Sequence, residues 1–306
     1  MYQSVTAHSL IRLSLAEWSL HRVIENRQID HLDFPQTARE VYGFEAVEYV
    51  SGLFGHSSLS PAESLRSPGY LQQLLRNSSN AGVINHLLMI DHEGPLAGAD
   101  TAARLRAIDG HRKWLDAAAF LGCRHVRVNL HGEGTRQQKF DASVDSLLRL
   151  SQLAGPLGLN VLVENHGNES SDANWLVAVM QRVGLPTVGT LPDFGNFCLT
   201  HAWGTTQEPC GEAYDRYLGV QQLMPYAKAV SAKSYDFDKN GLQPLIDYER
   251  LIEIVTSAGF TGYIGVEFEG FTQDEPSGIR RTRALLEKYL KRERIEGGRQ
   301  KEKGER

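Results

Sequence analysis

The sequence predicts one α/β domain of the (β/α)8 TIM barrel class, on three observations. Short apolar or β-rich runs alternate eight times with longer segments of helical spacing, the pattern of a parallel sheet with crossover helices. Glycines stand where six of the helices should stop. Five of the strand-like runs end in polar groups, at intervals of one strand plus one helix, which is how such a barrel gathers distant residues onto one rim.

Taken in order, a strand at 10–16 precedes a helix at 34–43 that Gly43 ends, and a strand at 46–50 precedes a helix at 68–79 before Gly82. Strand 86–90 leads to the clearest helix, 100–121, where Ala103, Leu105, Ile108, Trp114, Leu115, Ala118 and Leu121 form a broad apolar side and Gly122 follows. Strand 125–130 with helix 138–157 and Gly158, and strand 160–164 with helix 173–183 and Gly184, repeat the unit. Strands 188–191, 229–232 and 263–268 pair with helices 214–224, 245–258 (before Gly259) and 277–290. Glycine suits these stops because it adopts the left-handed cap conformation. The barrel domain is thus expected over 1–290. Residues 291–306 mix charges without an apolar face and read as a frayed, disordered charged tail.

A chain of 306 residues is long enough for one such barrel, and no Pro/Ser/Gly-rich linker divides it. The net charge of -5 argues against a general attraction for nucleic acid or anionic membranes. No apolar run approaches the roughly 20 residues of a membrane helix, and no secretory signal pattern opens the chain, so a cytoplasmic location is expected. Cys123, Cys198 and Cys210 show no CxxC spacing and are expected to be reduced thiols rather than a disulfide framework or a zinc site.

Alternate strand residues face opposite sides, so if Glu164 points inward, Leu162 and His166 do too; if Glu267 does, so do Gly265 and Glu269; and if Lys233 does, so does Ser231. The inward polar residues fall at C-terminal strand ends, the catalytic face of such barrels. Singly, each of Glu164, Asp193 and Glu267 is better read as a cap or salt-bridge partner. Three at corresponding strand ends converge, and their repulsion calls for a divalent cation or a lysine. Oxygen donors favour Mg²⁺ or Mn²⁺, with Zn²⁺ admitted if an imidazole such as His166 joins. Lys233 is either a structural counter-ion or the group that polarises a carbonyl oxygen.

Asn129, Asn165 and Asn196 carry the donors and acceptors that suit sugar hydroxyls. Among His8, His21, His86, His131 and His166, the last is the best functional candidate. His201, Trp203 and Tyr214 lie in a long segment suited to a lid. The glycines around Leu130-His131-Gly132-Glu133-Gly134 offer a weak phosphate-nest signal. Dinucleotide, P-loop, zincin and hydrolase-elbow motifs are missing.

Together, Arg127-Val128-Asn129, Val163-Glu164-Asn165-His166-Gly167, Leu191-Pro192-Asp193-Phe194-Gly195-Asn196, Val230-Ser231-Ala232-Lys233 and Gly265-Val266-Glu267-Phe268-Glu269-Gly270 resemble the sugar phosphate isomerase/epimerase group of the xylose isomerase-like TIM barrel superfamily. The resemblance runs from about Leu10 to Leu290. It implies a divalent metal held by acidic residues of strands five, six and eight, matched by Glu164, Asp193 and Glu267. The strand-seven ligand, commonly histidine, is Ser231 here, so an ion would use water or another side chain at that place, or be absent. Lys233 matches the family's lysine. Asn196 stands where ketose epimerases carry a substrate-contacting histidine.

The implied activity is isomerisation or epimerisation of a sugar, sugar phosphate or keto-sugar through an enediolate, with Glu164, Glu267 and Lys233 catalytic. Asn129, His166, Asn196, Lys233 and Glu269 are then the substrate-binding candidates. A lyase or dehydratase using the same intermediate is the first alternative, and a non-catalytic carbohydrate-binding barrel the second. The expected partner is a small-molecule carbohydrate, and self-association is left open.

Overall fold

The computed structural model describes residues 11–55 and 60–304, with side chains to residue 293. Eight parallel strands, β1 (Ile11–Ala16), β2 (Ala46–Val50), β3 (Ile84–Met89), β4 (His125–Val128), β5 (Asn160–Glu164), β6 (Val188–Leu191), β7 (Val230–Ser234) and β8 (Gly262–Phe268), pair in the order β6-β5-β4-β3-β2-β1-β8-β7. The two ends of that row meet through isolated parallel bridges, Thr190 with Ala227 and Asp193 with Ser231. At the second bridge the Ser231 amide donates to the Pro192 carbonyl at 2.9 Å and the Phe194 amide to the Ser231 carbonyl at 3.0 Å. The seam that nearly closes the barrel therefore holds two of the predicted site residues side by side.

The helices are α1 (His21–Glu25), α2 (Phe34–Glu40), α3 (Pro61–Arg66), α4 (Tyr70–Asn80), α5 (Thr101–Leu121), α6 (Arg136–Ala154), α7 (Ala173–Val183), α8 (Arg216–Leu223), α9 (Tyr248–Ser257) and α10 (Glu275–Gly304). The alternation read from the sequence is present throughout. Two short helices, α1 and α3, lie in segments the sequence leaves as loops.

Helix α5 illustrates how the sequence sets an element. Asp100 accepts hydrogen bonds from the amides of Ala102 and Ala103, satisfying donors that a helix start leaves orphaned. Gly122, at φ 78°, ends the helix in the left-handed conformation. Trp114, Leu115 and Ala118 are buried against the sheet. Leu105 departs from its prediction: it is 41% exposed, because the buried stripe runs through Arg104 and Ile108 and leaves it to one side. Leu147 and Leu150 of α6 and Leu176 of α7 continue the layer between sheet and helices. Truncating one of these to Ala costs about 2–5 kcal/mol in such cores.

Three sequence expectations are corrected. Helix α10 continues to Gly304 rather than ending at Leu290, because Lys, Arg, Glu and Gln sustain a helix without an apolar face. Cys198 and Cys210 form a disulfide, with Cα atoms 5.8 Å apart, whereas Cys123 is free and buried. The pairing arises because the chain after β6 folds back through an antiparallel bridge between Cys198 and Ala213. Finally, Gly132 serves close packing: a Cβ there would come within 2.2 Å of the Gly98 amide, so the supposed phosphate nest is filled by the chain at 97–99. Leu10, His8 and the last two residues of the predicted tail lie outside the described residues. None of the described helices is long and apolar enough to cross a membrane.

Candidate active site

The strand ends bring the three predicted carboxylates together. Glu164 closes β5, Asp193 follows β6 and Glu267 lies near the end of β8; all are buried, and one oxygen of each lies within 4.8 Å of the others. Asp193 is set by its own turn, since the amides of Gly195 and Asn196 each donate to its Oδ1 at 2.7 Å. Asn165, the residue after β5, fixes that turn: its Oδ1 accepts from the Asp193 amide, and its Nδ2 donates to the carbonyls of Asp193 and Asn196. Asn165 therefore positions Asp193, whereas the sequence reading gave it to sugar hydroxyls. Asp193 Oδ2 is left buried without a hydrogen-bond partner.

Two cations balance this cluster. Lys233, inside β7, places Nζ 2.9 Å from Glu267 Oε1 and 3.0 Å from Glu269 Oε2. Ser231, two residues back on the same face, donates to Glu267 Oε2 at 2.8 Å, so both oxygens of Glu267 are engaged. From β4, Arg127 Nη1 donates to Asp91 at 2.5 Å, and its Nε approaches Glu164 Oε2 at 2.9 Å as an ion pair not aligned for a hydrogen bond. Arg127 and Asp91 were not assigned from the sequence. The parity argument reaches the first, since Arg127 shares a face with Asn129, and the second is the residue immediately after the predicted third strand.

This arrangement drives neighbouring carboxyl groups apart. Burial raises Glu164 well above the ordinary carboxylate range, against the pull of Arg127. Burial likewise lifts Asp193 to about 6, with Lys233 opposing and Glu267 adding to the shift. For Glu267 burial acts in the same sense but is outweighed by Lys233 and Ser231, which hold it below its usual value. Burial also opposes the charge on Lys233, and the surrounding carboxylates, led by Glu267 and Glu269, overcome it and keep the ammonium well above its normal range.

The remaining candidates form a second layer. Asn129 Nδ2 donates to Asp91 at 2.6 Å while its Oδ1 lies 2.8 Å from His166 Nδ1, which makes that nitrogen the protonated one for this amide orientation. Burial, helped by Arg127 and Lys233, keeps His166 neutral. Asn196 Nδ2 reaches Glu164 Oε1 at 3.3 Å. Glu269 also accepts from Trp18 Nε1 at 2.7 Å, linking Lys233 to an aromatic wall.

Above these groups lies a cavity of about 400 Å³. His21, His201 and Trp203 line it. Tyr214 instead bonds Gln222, and His86 packs on His125 at the strands' N-terminal ends, so neither joins the site. As for a metal, three converging carboxylates with an unpartnered Asp193 oxygen fit a hard divalent cation in donor chemistry, with no imidazole among them. Ser231 directs its proton at Glu267.

Residues 36–289 match the family model described as a xylose isomerase-like TIM barrel. The chain belongs to that family. Among curated proteins, this xylose isomerase-like barrel is 39% identical over 57 residues to the 3'-dehydrocarminate deglycosidase alpha subunit of a Microbacterium species, covering 18% of this chain and 16% of that one. It is 40% identical over 48 residues to the C-glycoside deglycosidase alpha subunit of Arthrobacter globiformis, covering 16% and 14%. The matches thus span a small part of those relatives. Solved structures of similar fold include an L-ribulose 3-epimerase (TM-score 0.68, 14% identity, 94% of this chain and 97% of that one). The 3-keto-D-glucoside 4-epimerase of E. coli gives 0.62 at 15% identity, covering 91% and 99%. The IOLI protein with a bound zinc atom gives 0.64 at 15%, covering 92% and 98%. At such identities the likeness is one of fold.

Proposed function

We propose that this barrel is a sugar isomerase or epimerase that removes the proton beside the carbonyl of a keto-sugar and stabilises the resulting enediolate. The observation that carries this reading is the divergence of Glu164 and Glu267 within one buried cluster, where an oxygen of each lies within 4.8 Å of the other, the first held towards its protonated form and the second ionised beside Lys233. Glu267 takes the proton, the Lys233 ammonium donates to the oxygen on which negative charge develops, and Glu164 returns a proton. Return to the same carbon from the opposite face gives the epimer; return to the neighbouring carbon gives the isomer. Asn196 and Glu269 reach the same cavity and serve to bind substrate hydroxyls, while Asn129 holds the His166 ring at its edge.

A divalent ion, when bound by Glu164, Asp193 and Glu267, would neutralise the excess negative charge and favour the anionic intermediate electrostatically.

A second reading, loss of a leaving group β to the carbonyl from the same enediolate, is supported by the short matches to two deglycosidase alpha subunits. Both readings share the first step, so it is the one to measure. Ketoses, 3-keto sugars, inososes and their phosphates, incubated with the enzyme in D₂O, should take up deuterium next to the carbonyl in at least one member. Glu164→Gln and Glu267→Gln should each lower that exchange by about 10²–10⁴-fold. Unchanged exchange in both variants removes the acid/base assignment, and no exchange with any compound leaves a carbohydrate-binding barrel.

A further inference from the structure

We propose that the substrate is a glycoside carrying an aromatic or similarly planar apolar group, which fills the outer half of the cavity while the sugar ring lies at the carboxylates. The proposal rests on the reading above only for where the sugar sits. The inner end is crowded with charge from Arg127, Lys233 and Glu267, with Glu164 paired to Arg127, and suits a polar ring. The outer wall is of a different character: Trp18, Trp203 and Phe271, from the loops after β1, β6 and β8, all line it.

Trp18 also packs against the core, but Trp203 and Phe271 do not serve it. Phe271 is 60% exposed and Trp203 39% exposed. Each is nonetheless held in place by its own anchor. Trp18 stacks on His21 with centroids 4.4 Å apart and is tethered to Glu269 through Nε1. Trp203 packs edge-on to His131 at 5.0 Å and tilts against His166 at 5.2 Å, on a loop that the Cys198–Cys210 disulfide closes. The amides of Phe271, Thr272 and Gln273 all donate to Asp236. Aromatic faces fixed in solvent before binding lose little freedom when a flat ring joins them. A cavity of about 400 Å³ has the size of sites that enclose ligands larger than one sugar ring.

The test uses matched phenyl and methyl glycosides of glucose, galactose, mannose and xylose, which lack a keto group, with dissociation constants measured by calorimetry. At least one phenyl glycoside should bind about tenfold more tightly than its methyl partner, and Trp203→Ala and Phe271→Ala should reduce that ratio to about threefold or less. Circular dichroism melts identify any variant that misfolds, and Phe271→Ala, altering an exposed side chain, keeps the test available. Equal affinities within every pair, including no measurable binding, overturn the proposal, as does a ratio unchanged in both variants. An intact preference with no deuterium exchange supports the substrate class and overturns the proton-transfer reading instead.

Discussion

Arg127 Nε lies 2.9 Å from Glu164 Oε2, with both side chains buried, while the same guanidinium holds Asp91 through Nη1. One cation from β4 thus spans acidic groups at the ends of β3 and β5, a role suited to the rigid fork of arginine. Arg127→Met leaves the buried Asp91 carboxylate and the Glu164 carboxyl group without that partner. It should destabilise the protein by about 3–5 kcal/mol in urea unfolding at neutral pH. A variant within about 1 kcal/mol of wild type would show that Asp91 and Glu164 do not depend on the guanidinium.

Lys233 contacts Glu267 and Glu269 and sits where the enediolate oxygen is proposed to form. Lys233→Met should lower the rate of deuterium exchange by about 10²–10³-fold, mainly in kcat, because the lost interaction strengthens as charge develops. A rise confined to KM would assign Lys233 to substrate binding alone.

The unpartnered oxygen of Asp193 makes a definite claim about ions. Mn²⁺ at about one hundred times its dissociation constant should stabilise wild type by about 2.7 kcal/mol, and Asp193→Asn should lose most of that gain. Since Asp193 is lifted to about 6, protons compete below that pH, and the Mn²⁺ affinity should fall as the solution is acidified from 7 to 5. Calorimetric titration at the two pH values gives the comparison. Equal Mn²⁺ responses in wild type and Asp193→Asn would place any ion elsewhere.

The barrel and its acidic rim were legible because period and parity are properties of short sequence windows. Glu164, Lys233 and Glu269 each fall where strand alternation puts them. What stayed hidden depends on pairing across strands. Arg127 could be placed on the inner face but its partners could not, since Asp91 and Glu164 lie 36 and 37 positions away in different units. The disulfide was hidden for a similar reason: nothing in the run between Cys198 and Cys210 announces the fold-back that brings them together. Trp18 is hidden in the sequence because the residue that tethers it at the cavity, Glu269, lies 251 positions further on. Glu48 was missed as well, a single acid in the middle of an apolar strand.

Glu48 supplies a prediction of its own. It projects from β2, accepts from Ser14 Oγ at 2.5 Å, and leaves Oε2 buried without a partner. Room for it exists because Gly265 on β8 has no side chain; a Cβ there would come within 2.7 Å of Glu48 Oε2. Burial, against the Ser14 hydrogen bond and with Glu267 adding, raises its pKa to about 7 from an ordinary 4.5. The folded protein thus holds a proton at Glu48 that the unfolded chain releases near 4.5, so its contribution to stability is full below that pH and is lost as pH rises through 7. The slope at its steepest is about 1.4 kcal/mol per pH unit. Glu48→Gln resembles the protonated acid and has no such loss. The melting temperature of the variant relative to wild type should therefore climb as pH is raised from 5 to 8. A constant offset across that range would mean that Glu48 carries the same charge folded and unfolded.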